Sequence, residues 1–235
     1  MRPDVSGATS VGKVRKVNQD TFVVAEITKA LRVVRTNLPG ADGAWARSQV
    51  GALLLAVADG VGGGAAGERA SALAVRAMAE YALEIMPLLE DAKVEPRRPV
   101  ADMLQSGVHR ADVQVHAEGD ANVDERGMAT TLTLVYLVGL RLHGVHVGDS
   151  RAYLVRGGRA TRLTRVHNVA ARLVEEGVLT PEAAERSRMR HVLWQSIGGA
   201  KQGVAPDTFD LWAQPGLLAR VGESFSGRPT GVDVL

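Results

Sequence analysis

Three aspartates stand beside short apolar runs in this chain. Asp59 ends the run Leu53-Leu54-Leu55-Ala56-Val57-Ala58 and is followed by Gly60-Val61-Gly62-Gly63-Gly64. Asp149 follows Val145-His146-Val147-Gly148, and Asp20 follows the turn-forming Asn18-Gln19 and leads into an apolar segment. An unpaired carboxylate at the tip of a buried strand is costly, so such a residue points to something that takes up its charge. The glycines after Asp59 let the backbone bend sharply and bring its polar groups close to a ligand. Asp59 therefore reads as a carboxylate delivered to an ion or phosphate site. Magnesium and manganese take hard oxygen donors and keep several waters, so a few aspartates from separated strands suffice to hold them. Two such ions close together clamp a phosphate and activate water. Aspartate is also a common turn residue, and each of the three alone reads that way. Their joint placement favours a site.

The pattern along the chain says what must hold these residues. Strands are predicted over 21–26 and 53–58, with a loop or excursion over 28–50, where Pro39-Gly40 and Asp42-Gly43 mark turns. A helix over 66–90 follows, with Leu73, Ala77, Tyr81, Ile85, Leu88 and Leu89 at helical spacing. After Pro96 and Pro99 comes a second, with Val100, Met103, Leu104, Val108, Ala111 and Val115 as its stripe. Strands are then predicted over 129–138, 142–147 and 152–155, and Gly157-Gly158 turns into a further one over 159–163. A helix over 169–176 is closed by Gly177, and Thr180-Pro181 caps and starts the next. Helices grouped between runs of strands argue for α+β architecture: antiparallel sheets with helices packed outside.

With 235 residues and 46% hydrophobic content, the chain supports one sizeable core. A formal net charge of +2, without a like-charge block, gives no sign of a nucleic-acid partner. Absence of cysteine removes disulfides, thiolate metal sites and a cysteine nucleophile, and fits a cytoplasmic protein. No apolar run approaches membrane-helix length, so no membrane partner is expected.

Four ordered motifs carry a resemblance: Gly12-x-x-Arg15-x-x-Asn18-Gln19-Asp20, Ala58-Asp59-Gly60-Val61-Gly62-Gly63, Met128-Ala129-Thr130-Thr131 and Val147-Gly148-Asp149-Ser150-Arg151-Ala152-Tyr153. Over roughly residues 7–216 the chain resembles bacterial metal-dependent serine/threonine protein phosphatases of the PPM (type 2C) family. The resemblance implies a four-layer α-β-β-α sandwich of two antiparallel sheets flanked by helix pairs. It also implies hydrolysis of phosphoserine and phosphothreonine in proteins by a metal-activated water, without a phosphoenzyme. Asp59 would bridge two Mn2+ or Mg2+ ions, with the Gly60 carbonyl as a further ligand. Asp20 would hold a metal-bound water, Asp149 would help hold a third, weaker ion, and Arg15 would grip the substrate phosphate with its planar fork of donors. A phosphorylated protein, such as a Ser/Thr kinase or one of its targets, would be the partner, and the domain is expected to act as a monomer.

The chain also departs from that pattern. Gln19 stands where many members carry Glu, Val61 and Gly64 stand where members carry His, and Val166 replaces a usual Asp. A histidine general acid is therefore not visible; His146 and His167 are nearest in sequence and receive no role. After Pro215-Gly216 the family's Ser-Asp-Gly strand and Asp-Asn turn, both carrying metal-ligating aspartates, are missing. Asp207, Asp210 and Asp233 lie in neither motif and are not assigned as ligands. The expected division is a phosphatase domain over 1–216, incomplete at its C-terminus, and a loop-like or disordered tail over 217–235, as in a truncated or frame-altered coding sequence.

That departure keeps open a second reading, an inactive pseudophosphatase that binds phosphoproteins or a kinase through Arg15. A third is a dinucleotide-binding oxidoreductase, because Gly62-Gly63-Gly64-Ala65-Ala66-Gly67 matches G-x-G-x-x-G between a strand and a helix. Asp59 ahead of the glycines opposes it, since a carboxylate repels phosphate. The Thr130-Thr131 strand reads as core packing, and Arg76, Arg110 and the Arg-rich 186–190 stretch read as solvated faces.

Overall fold

A computed structural model of the chain describes residues 5–13, 15–28, 30–37, 52–62, 64–90, 100–138, 141–156, 158–200, 203–212 and 218–222. In chain order the elements begin with strands β1 (Asp20–Thr28), β2 (Ala30–Thr36) and β3 (Ala52–Val61), then helices α1 (Gly64–Glu90) and α2 (Val100–Ala121). Strands β4 (Ala129–Thr130), β5 (Leu132–Val138), β6 (Arg141–Val147), β7 (Arg151–Arg156) and β8 (Arg159–Arg162) follow. The chain continues with α3 (Val169–Glu175), α4 (Pro181–Arg186), a 3-10 turn at Arg188–His191, β9 (Ile197–Gly198), β10 (Asp207–Trp212) and β11 (Leu218–Gly222).

The apolar run ending on Asp59 forms an inner strand of the larger sheet, whose path is β10-β6-β5-β3-β1-β2, with β4 on the end of β3 and β9 on β4. The smaller sheet runs β11-β7-β8. Every pairing is antiparallel. This is the α+β arrangement indicated by the grouping of helices and strands. Helix α1 lies on β3 and β1, α2 lies on α1 and β6, and β11 meets β3 and β5. No helix among the described residues is long and apolar enough to cross a membrane.

Strand side chains alternate between faces, and this sorts β3 cleanly. Leu54, Ala56 and Ala58 join the core with Ala70, Ala74 and Met78 of α1. Asp59 falls on the opposite face, in phase with Leu55 and Val57. In β1, Val23, Ala25 and Ile27 join that core, so Asp20 also falls on the face turned away from α1.

Three sequence expectations change in detail. Residues 30–36 form a strand rather than a loop, because the chain folds back on β1 from Thr28↔Ala30 and satisfies its backbone there; the turn signals at 39–43 lie outside the described residues. Ala77 and Ile85 of the expected α1 stripe are buried, but most of the buried surface of α1 is alanine (Ala70, Ala74, Ala79 and Ala82) with Met78, while Leu73 and Tyr81 are half-buried and pack against the core; the side chains of Leu88 and Leu89 lie outside the described residues. Residues 218–222 form β11 rather than loop: their backbone pairs with β7 from Leu218↔Val155 to Gly222↔Arg151. An edge strand offers a ready ladder, and such pairing overrides a weak local preference. Residues 223–235, including Asp233, lie outside the described residues.

Candidate active site

The β1–β3 register places Asp20 directly opposite Asp59. Directly opposed residues share a face, and their Cβ atoms stand about 5 Å apart. Like charges there are unfavourable, and Asp59 shows it. Burial, then repulsion from Asp20 and Asp149, pushes its carboxyl up to about 7, with hydrogen bonding to Asp20 adding to the effect and Arg15 opposing it. Burial also raises the Asp149 carboxyl, against its own backbone amide, Arg151 and His191. The fold thus brings Arg15, Asp20 and Asp149 within electrostatic reach of Asp59, although the three aspartates come from separate strand ends.

Gly60 is held at the same strand end. Its N–H donates to the Gln19 carbonyl at 3.2 Å, and a Cβ at this position would overlap the Gly67 carbonyl of α1. Only glycine fits where the strand end and helix start touch. Buried Gln19 accepts a 3.0 Å hydrogen bond at Oε1 from Arg15 Nη1. Ser71 of α1 donates to the Gln19 carbonyl at 2.8 Å and so ties this turn to the helix. Gln19 anchors Arg15, a role that its neutral amide alone did not suggest.

Asp149 is fixed through its neighbours. His146, pushed down to about 4 by burial and by His167, is neutral. Its Nε2 donates to the Gly148 carbonyl at 3.0 Å, and Nδ1 accepts from Thr133 Oγ1 at 2.8 Å. Burial lowers His167 too; its Nδ1 accepts from the Gly148 N–H at 3.2 Å, and Nε2 donates to Asp207 Oδ2 at 3.1 Å. Both histidines therefore serve the Gly148 peptide. Asp207 is occupied with His167 and Arg165, and Asp210 with His143 and Arg141, so neither turns to the aspartate group. At the other margin, Arg186, Arg188, Arg190 and His191 line a cavity of about 310 Å3 with Glu185 and Ser187. These arginines are exposed, as expected of a solvated face.

The donors offered by Asp20, Asp59, Asp149 and the Gly60 carbonyl are all hard oxygens, which fits magnesium or manganese. The mutual repulsion at Asp59 is the electrostatic counterpart of that fit. Among the described residues, no three His, Asp or Glu converge tightly enough to enclose an ion. The glycine run following Asp59 does not sit in a parallel β-α-β unit, since β3 is antiparallel to both β1 and β5; the dinucleotide signature lacks its structural context.

A family model described as protein phosphatase 2C matches residues 32–199. The chain belongs to that family. Among protein phosphatase 2C relatives, it is 39% identical over 149 residues to the serine/threonine protein phosphatase PstP of Mycobacterium tuberculosis, covering 63% of this chain and 27% of that protein. It therefore spans about a quarter of the length of that relative. The crystal structure of the Mycobacterium tuberculosis phosphatase PstP/Ppp superimposes with a TM-score of 0.64 at 32% identity, covering 88% of this chain and 72% of the other. A PstP catalytic domain in complex with two manganese ions superimposes with a TM-score of 0.57 at 33% identity, covering 86% and 77%. These likenesses account for the α+β fold.

Proposed function

We propose that this chain hydrolyses phosphoserine and phosphothreonine in proteins in a reaction that depends on magnesium or manganese. The observation that carries the reading is the directly opposed pair Asp20 and Asp59, with Asp149 near enough to help raise Asp59 to about 7. A folded protein keeps such a carboxylate group where a cation relieves it.

Asp59 and the Gly60 carbonyl would hold the ions, and Asp149 would contribute from the second strand end. Asp20 would accept hydrogen bonds from water and orient it toward phosphorus. Arg15, steadied by Gln19, would grip two phosphoryl oxygens with its fork of donors. When bound, the divalent ions supply positive charge that polarises the phosphoryl group and acidifies water. Water attacks phosphorus in line and gives one proton to solvent; its P–O bond forms as the bond to the serine or threonine oxygen breaks, and that oxygen leaves with a proton taken from solvent, since His146 and His167 are committed to Gly148. The basic margin of Arg186, Arg188 and Arg190 would favour an anionic phosphoprotein. A Ser/Thr kinase or one of its targets is the candidate substrate.

The binding-only reading keeps one observation in its favour: Arg15 is held by a protein partner, donating from Nη1 to Gln19 Oε1 at 3.0 Å. Phosphate release from a phosphothreonine peptide separates the two. Release that needs manganese, stops with chelator and is lost in Asp59→Asn supports the enzyme. Retained peptide binding that depends on Arg15, without release, supports the binding protein and defeats the enzymatic reading.

A further inference from the structure

Thr130 and Thr131 read from sequence as core packing, yet the structure wraps them around Asp59. The pairing of β3 with β4 sets Gly60 opposite Thr130. Thr130 Oγ1 donates to the Asp59 carbonyl at 2.9 Å. The Thr131 N–H donates to the same carbonyl at 2.9 Å, and Thr131 Oγ1 accepts from the Asp59 N–H at 2.9 Å. The same hydroxyl meets Ser150 Oγ at 3.0 Å. Thr131 and Ser150 are almost wholly buried, at 0% and 2% exposure, so water does not compete for these bonds.

Ser150 directly follows Asp149. On the other side, Gly148 is gripped by His146 and His167 and adopts a φ of +110°; a Cβ there would collide with the Thr131 side chain. One hydroxyl therefore touches the backbone of Asp59 and the residue beside Asp149. A single side chain thus links the two strand ends.

We propose that Thr131 is a positioning residue whose hydroxyl, bridging the Asp59 N–H to Ser150, sets the spacing between the Asp59 and Asp149 carboxylates for divalent-cation binding. This rests on the metal-dependent reading above. Groups that orient ligands from outside typically change metal affinity by about 10–100-fold when removed. The methyl of Thr131 also packs against Gly148, so the two halves of the side chain must be tested separately.

The experiment is manganese binding to the full chain by isothermal titration calorimetry, beside thermal melting in chelator. Thr131→Val keeps the shape and removes the hydroxyl; Thr131→Ser keeps the hydroxyl and removes the methyl; Ser150→Ala cuts the far end of the bridge. Val108→Ala, in the α2 core, controls for loss of stability alone. The expected result is manganese affinity about 10–100-fold weaker in Thr131→Val and weakened in Ser150→Ala. Thr131→Ser should stay within about threefold of wild type, and Val108→Ala should melt earlier with unchanged affinity. Wild-type affinity in Thr131→Val overturns the proposal, as does equal loss in the Ser and Val variants, which would assign the effect to the methyl. If Thr131→Val does not fold, Ser150→Ala and Thr131→Ser decide. A wild-type chain that binds no manganese defeats the metal-dependent reading itself, and this proposal with it.

Discussion

In the metal-free protein, Asp59→Asn stabilises the fold. The Asp59 carboxyl stands at about 7 instead of 3.8 because burial and the charges of Asp20 and Asp149 oppose its ionisation. That displacement corresponds to about 4 kcal/mol of folding free energy once the group is ionised in both states. Asp59 is only half-buried, and screening by water brings the realised penalty to about 2 kcal/mol. The sign follows from proton counts. Below the ordinary carboxylate value both states are protonated and the penalty is absent. Between pH 4 and 7 the folded state holds a proton that the unfolded state has lost, so stability falls as pH rises. Above about 7 the penalty is complete. Asn has nothing to ionise and can keep a hydrogen bond to Asp20. For a chain of this size, about 2 kcal/mol moves the melting temperature by about 4–8 °C. Thermal melting in chelator at several pH values between 4 and 8 measures it. The variant's advantage should grow through that window and then level off. Saturating manganese should reverse the order, since an ion bound only by the folded wild type at 100 times its dissociation constant adds about 2.7 kcal/mol. Melting curves that stay parallel across the window, or a variant less stable throughout, would refute the claim that Asp59 carries uncompensated charge.

Other perturbations follow from the same geometry. Arg15→Lys replaces a planar fork by a point charge and should lower kcat/KM on a phosphothreonine peptide by about 10–100-fold, a loss of about 1.5–3 kcal/mol; unchanged kinetics would remove Arg15 from the phosphate site. Gly60→Ala pushes a methyl into the Gly67 carbonyl and should cost about 1–3 kcal/mol, read by denaturant unfolding. Arg188→Glu should raise KM for an anionic phosphopeptide several-fold at low salt, and the difference should shrink as salt is added because exposed charges are screened. His146 is held down to about 4 from its ordinary 6.5, so its contribution is fully present above pH 6.5 and is lost as pH falls toward 4. His146→Gln should therefore flatten the acid limb of the metal-free stability profile, a difference of up to about 3 kcal/mol.

What could be read from the residues was what local pattern determines. Asp59 at the end of an apolar run, the paired Thr180-Pro181 helix start and the stripe of α2 each follow from neighbours in sequence. They reappear with Thr180 capping Ala183 and Pro181 at the first helical position. The misses come from partners distant in the chain. The strand at 30–36 and the one at 218–222 exist because β1 and β7 present open ladders, and neither ladder is visible in the segment itself. The site shows the same division. The carboxylates announced themselves because a charge beside apolar residues is locally anomalous. Their supports did not, because Gln19, Thr131, His146 and His167 are ordinary residues whose meaning lies in where the strand registers and the loop before α3 put them. His146 faces Thr133 across one such register, and Thr131 reaches Ser150 nineteen positions away. A phosphate centre built on strand ends needs both kinds of residue. Charged groups reveal where chemistry can occur, and buried hydrogen-bonded ones fix the distances on which it depends. The latter belong to the sheet rather than to any single segment, so their substitution should change ion affinity at nearly constant net charge.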